Sequence, residues 1–334
     1  MEAGVLGRDP RYWVEEVAGV AELGGMTYVY DPGRAHIVVL DSAFLPVRTM
    51  GRKGKGPGEL EPGWDRGTRG RGWRWMEIVD STLVVYDGFR LQSFAPDGSL
   101  ESGRLQGPVR RGAVHFWADR LRISDEAVIS SSGGYALMSR SRRPYEWTLS
   151  RSTESRTTPI LSLRLTPLPK SRGVPFSGPE QALPAWDALS GCVVASDGTG
   201  KWLVRGDVAG RSIDTLALEL PELGRPKIDV ARYERLMGAG GGGGYVGPTA
   251  LRDISAIIID PDGYAWILPV QDSTAGGEGV EVVRLSLQTG AVARDTVPAF
   301  PTEFGSPGVF YARVGERDEP ALARYRLSPT TGRR

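Results

Sequence analysis

The sequence predicts an all-β fold: a six-bladed β-propeller with four-stranded antiparallel blades, its ring closed by an N-terminal strand. Three observations carry this expectation. Met26 to Glu59 reads as three short strands, MTYVYD, HIVVLD and SAFLPVRTMG, followed by the connector RKGKGPGE. β-Branched and aromatic residues fill the runs, while Asp, Gly and Pro separate them. The same order returns in MEIVDSTLVVYDGFRLQSFAPDGSLESGRL from Met76 and in ISAIIIDPDGYAWILPV from Ile254. Such recurrence is a stronger guide to fold than any single motif. The 45 Gly and 24 Pro among 334 residues supply the turns that many short strands require.

Taken in order, residues 1–10 read as a loose arm. Residues 11–20, RYWVEEVAGV, alternate well enough for a strand that closes the ring by pairing with the last blade, which removes an open edge. Blades are expected at about 26–50, 76–105, 112–168, 186–220, 252–298 and 306–328, the last completed by 11–20, within a single domain spanning 1–334. The third is the hardest to divide, with Arg-rich turns between LRISDEAVISS, GGYALMSRS, YEWTLSRS and ILSLRL. After the fourth, KIDVARYERLM is the best short helix, with Asp229 as its N-cap. The glycine run from Gly238 to Gly244 reads as a flexible linker.

Composition narrows the function classes. A net charge of +1 gives no global attraction to nucleic acid or membranes. A single cysteine, Cys192, excludes an intramolecular disulfide and a thiolate metal cluster. The first residues show no basic region followed by an apolar one, and no apolar run is long enough to span a bilayer, so a cytoplasmic protein is expected. It could still sit peripherally on a membrane complex.

DPGRAHIVVLD, GRKGKGPGE, VVYDGFRLQSFAPDG and IIIDPDGYAWIL together resemble bacterial six-bladed β-propellers related to NHL-repeat proteins. The connector, of the form GxxGxGPGE, is the most specific part of the likeness, which spans about Trp13 to Leu327. The resemblance implies the fold; it does not fix a function.

Tests for chemistry return mostly structural readings. In the connector Gly51, Gly54, Gly56, Pro57, Gly58 and Glu59 depart from a P-loop, because Pro57 follows Gly56 where Lys is needed and lacks the N–H of a phosphate cradle. They read as a structural connector. The two histidines, His36 and His115, cannot make a three-histidine metal centre, and no G-x-S-x-G elbow occurs. Propeller hydrolases that hold calcium in the central channel use Asn and acidic ligands, and this chain has no Asn. Asp31, Asp87, Asp197 and Asp260 each close a strand before a turn, which points to turn hydrogen bonding.

One surface stands out. Arg66, Arg69, Arg71, Trp73, Arg74 and Trp75 interleave Arg, Gly and Trp in one loop, and Arg140, Arg142 and Arg143 could extend it. Arg and Trp are the residues that most often anchor interfaces. The expected function is a non-enzymatic scaffold without cofactors, an extrinsic accessory subunit that docks on other protein subunits and stabilises a larger complex, membrane-embedded ones included. The alternatives are a metal-dependent hydrolase or small-ligand binder using the channel, and nucleic-acid binding through the Arg/Gly/Trp loop.

Overall fold

A computed structural model describes residues 3–6, 14–61, 74–87, 91–101, 121–123, 127–132, 145–153, 156–165, 185–189, 191–196, 202–217, 254–269, 279–314 and 321–327. Strand β1 (Ala3–Leu6) comes first in the chain and joins the last sheet. The first sheet comprises β2 (Gly19–Leu23), β3 (Met26–Asp31), β4 (His36–Leu40) and β5 (Pro46–Met50). The second holds β6 (Trp75–Val79), β7 (Thr82–Tyr86) and β8 (Leu91–Phe94), and the third β9 (Leu121–Ile123), β10 (Val128–Ser132), β11 (Tyr145–Ser152) and β12 (Thr157–Leu165). The fourth contains β13 (Ala185–Leu189), β14 (Cys192–Ser196), β15 (Trp202–Asp207) and β16 (Ile213–Ala217). The fifth contains β17 (Ile254–Ile259), β18 (Tyr264–Pro269), β19 (Val280–Ser286) and β20 (Val292–Val297). The sixth is β21 (Pro301–Phe304), β22 (Val309–Val314) and β23 (Ala321–Arg326), with β1 added outside β23.

Neighbouring strands within these sheets pair antiparallel, as tight turns between consecutive strands demand. In the first two sheets the second strands are buried almost end to end: Thr82 to Tyr86 in β7, and all but Met26 in β3. Continuous burial, instead of alternation, means that both faces of the sheet are covered by neighbours. The apolar clusters give the same arrangement. Tyr28, Tyr30 and Ile37 of the first sheet meet Met76, Leu83 and Phe94 of the second. Trp147 and Leu149 of the third meet Trp186 and Val193 of the fourth, and Val194 and Leu203 meet Ile257 and Ile267 of the fifth. Trp266 and Leu268 pack on Phe310 and Ala312 of the sixth, while Tyr311 and Leu322 pack on Val29 and Val38 of the first. The first strands touch in succession: β2 with β6, β6 with β9, β9 with β13, β13 with β17, β17 with β21, and β21 with β2.

The expected edge strand at 11–20 is corrected. The strand that joins the last sheet is β1, with Ala3 opposite Tyr325 and Leu6 opposite Leu322. Gly19 and Val20 belong to β2 and pair with β3. The physical reason lies at Glu15 and Glu16, whose backbone N–H groups donate to the Asp31 carboxylate at 2.8 and 3.2 Å instead of to a neighbouring strand. The first sheet therefore includes β2 from Gly19 onward. The expected helix at 227–237 and the Gly238–Gly244 linker lie outside the described residues.

Candidate functional site

The first strand of each sheet is short, and a charged residue stands in the middle of three of them: Glu77 in WMEIV, Arg122 in LRI and Asp187 in AWDAL. Because these strands touch in succession, residues far apart in sequence converge. The Arg122 guanidinium donates from Nε to Asp187 Oδ1 at 2.7 Å and from Nη2 to Asp187 Oδ2 at 3.1 Å, a two-pronged pair. Its Nη1 reaches Glu77 Oε1 at 3.5 Å. Asp187 is fully buried and accepts two backbone N–H bonds as well, from Ala188 at 2.9 Å and from Ile259 of β17 at 2.8 Å. Burial opposes a charge on Arg122, but Asp187, Glu77 and Glu303 of β21 outweigh it and hold the guanidinium protonated well above its ordinary range.

A second polar group crosses from the sixth sheet to the first. The Tyr311 hydroxyl donates to Glu22 Oε1 and lies 3.2 Å from Thr27 Oγ1, while Ser306 N–H donates to Glu22 Oε2 at 2.8 Å. Burial pushes the Tyr311 hydroxyl far up, and the bond to Glu22 adds to that.

The connector folds on itself. Glu59 accepts the Gly56 N–H at 2.7 Å and the Arg52 Nε–H at 3.0 Å, and the Gly56 bond leads in holding its carboxyl below the usual range. Gln92 of β8 clasps it from outside, accepting from Gly58 N–H at 2.9 Å and donating to Glu59 O at 2.6 Å. A Cβ at Gly54 would stand 2.1 Å from Glu59 Oε2, so a larger residue there would displace the Glu59 carboxylate. The loop thus carries its own anion where a phosphate would have to bind.

Of the basic-loop candidates, Arg74 and Trp75 fall in the described residues. Arg74 Nε donates to the backbone oxygen of Asp87 at 3.0 Å. Trp75 opens β6 opposite Tyr86, half-buried with its indole nitrogen inside the protein, so it belongs to a strand and not to the loop. Arg66, Arg69, Arg71, Trp73, Arg140, Arg142 and Arg143 lie outside the described residues.

The recurring aspartates act at turns. Asp31 gathers the N–H groups of Glu15, Glu16 and Arg34, and Asp87 accepts that of Glu61 at 3.3 Å. Asp31 ends the second strand of its sheet, and Asp87 follows the second strand of its own. Asp260 differs, following the first strand of its sheet, where it accepts from Tyr264 N–H at 2.8 Å and Trp266 Nε1 at 2.7 Å. Asp197 lies outside the described residues. His36 sits in β4, its pKa lowered by burial and then by Arg34. Among the described residues no three His, Cys, Asp or Glu side chains group as metal ligands.

Sequence reasoning missed Glu22, Glu77, Arg122, Asp187 and Glu303. For Glu77, Arg122 and Asp187 the available signal was a lone charge at the middle of a short strand, with apolar residues on both sides.

No family model and no curated protein sequence matches the chain. Solved structures do. An exported protein of Bacteroides fragilis, so described, is 12% identical over 98% of this chain and 95% of its own, with a TM-score of 0.51. A DUF4221 family member from Bacteroides vulgatus is 11% identical over 97% and 95%, with a TM-score of 0.54. A virginiamycin B lyase from Staphylococcus aureus is 9% identical over 98% and 90%, at 0.46. At such identities a likeness shows fold alone, and the fold is all-β and propeller-like. The first of these neighbours overturns the cytoplasmic expectation: a chain of like fold is described as exported, so the first residues of the sequence do not place this protein in the cytoplasm.

Proposed function

We propose that the chain is a six-bladed β-propeller, closed into a ring by β1, which works as a non-enzymatic scaffold: an extrinsic accessory subunit that docks on a larger protein assembly. Six sheets succeeding one another, with β21 against β2 and β1 laid outside β23, support the blade count and the closure.

One observation carries the scaffold reading. General acid–base chemistry needs a group that can reach a substrate proton and exchange its own near working pH. At the centre of the inner strands Asp187 already accepts four hydrogen bonds, and Arg122 is held charged by its carboxylates. The polar side chains there satisfy one another and brace the sheets. Docking is assigned to the Arg/Trp run at residues 66–73 and to the 140–143 run on residue type alone.

The test is native size. The chain is followed by mass spectrometry through gentle fractionation of its source cells. Migration as a large species with companions in fixed ratio, weakened in Arg71→Glu and Trp73→Ala variants that melt like the wild type, supports the reading. A monomer in every fraction, or a complex indifferent to both variants, refutes it.

A further inference from the structure

A buried guanidinium is costly unless its surroundings are arranged for it. Around Arg122 they are. Its side chain is 15% exposed, Asp187 is fully buried, and Glu77 is 16% exposed. Asp187 is fixed from behind by the Ala188 and Ile259 N–H groups, so its two oxygens face the guanidinium whatever that side chain does. Glu77 approaches from the other side at 3.5 Å, and Glu303 is near enough to act on the charge. Five inner strands therefore bear on one cation: β6 through Glu77, β9 through Arg122 itself, β13 through Asp187, β17 through the Ile259 N–H, and β21 through Glu303. Three carboxylates against one positive charge would repel one another were it removed.

We infer that the meeting point of the inner strands is a cation site with a built-in occupant, that the Arg122 guanidinium is the keystone setting these strands against one another, and that a chain lacking it takes up free guanidinium in its place. The two-pronged geometry at Asp187 selects a planar fork of N–H donors over a spherical ion of equal charge. The inference concerns how the fold is held, and stands whether or not the protein docks on an assembly.

The experiment is chemical rescue. Thermal unfolding of wild type and Arg122→Ala is followed by circular dichroism in low millimolar guanidinium chloride, with sodium chloride and urea at matched concentrations as controls. Arg122→Ala is expected to melt about 5–10 °C lower, as a buried pair broken on one side does in a domain of this size. Guanidinium restores part of that loss, sodium and urea do not, and the wild type gains nothing. An unshifted melt, or recovery as large in sodium chloride, overturns the inference. Should Arg122→Ala fail to accumulate as folded protein, Arg122→Lys carries the test. It keeps the charge without the fork, and a melt equal to that of the wild type would overturn the keystone role.

Discussion

Asp187→Asn removes one charge and exchanges one acceptor oxygen for an NH2 group, with no change in shape. Four donors point at the native carboxylate, two on each oxygen: Arg122 Nε and Ala188 N–H on Oδ1, Arg122 Nη2 and Ile259 N–H on Oδ2. Whichever way the amide settles, two donors face its NH2. One of them belongs to the guanidinium. Each bond to a charged group is worth about 1.5–3 kcal/mol, and breaking a buried ion pair from one side costs about 3–5 kcal/mol, so a loss of about 4 kcal/mol is expected. That is a large share of the ~5–15 kcal/mol that holds an ordinary domain together. Urea unfolding followed by tryptophan fluorescence reads the loss as a lower midpoint at unchanged slope. Asp207→Asn is the control. Asp207 accepts from Ala209 N–H and twice from Arg211, but that guanidinium is 79% exposed, and water replaces what is lost. A loss under about 1 kcal/mol at Asp187, or equal midpoint shifts at the two sites, would show that burial does not set the value of the pair.

Three further outcomes are expected. Tyr311→Phe should lose about 1–2 kcal/mol by leaving Glu22 and Thr27 short of a partner, and Glu22→Gln should lose a similar amount. Combined, they should cost clearly less than their sum, and strict additivity in urea midpoints would mean that the contact is not shared. Gly51→Ala meets a positive φ of 73° and a Cβ only 2.8 Å from Leu60 Cδ1, whereas Gly24→Ala has φ 60° with nothing within 4 Å. The first should therefore lower the melting temperature more, and equal drops would remove the contact from the account. Burial raises the Asp31 carboxyl to about 6, against the N–H bonds from Glu15, Arg34 and Glu16 that pull it down. A carboxyl raised in the folded state binds more protons there than in the unfolded chain, so its contribution to stability is lost as pH rises from about 4 through 6. Wild type measured against Asp31→Asn should lose up to about 3 kcal/mol across that window, and a flat difference would contradict the assignment.

How far the sequence reveals the molecule depends on whether the physics is local. Strands such as HIVVL and CVVAS stand out because continuous apolar runs between Asp, Gly and Pro have few other uses, and both are β-strands buried over most of their length. The connector stands out too, since its Gly and Pro spacing is set by a self-contained loop. The charged centre does not. Glu77, Arg122 and Asp187 occur one to a strand, in unlike contexts with no shared spacing, and become neighbours only when separate sheets meet. The misplaced edge strand has the same origin. Residues 11–20 alternate as a strand should, yet the lone aspartate at the end of β3 draws off two of their N–H groups, a contact sixteen positions away at Glu15.

The pairing of β1 with β23 sets the order in which the molecule can be assembled. Ala3 lies opposite Tyr325, although hundreds of residues separate them in the chain. During synthesis β1 leaves the ribosome long before β23, so its pairing edge waits while the sheets between them are translated. Closing so long a loop before any contact rewards it is the slow kind of folding event. Pulse-labelled hydrogen exchange should therefore find the amides of residues 3–6 and 321–326 among the last to gain protection, after the sheets built from neighbouring strands are already formed.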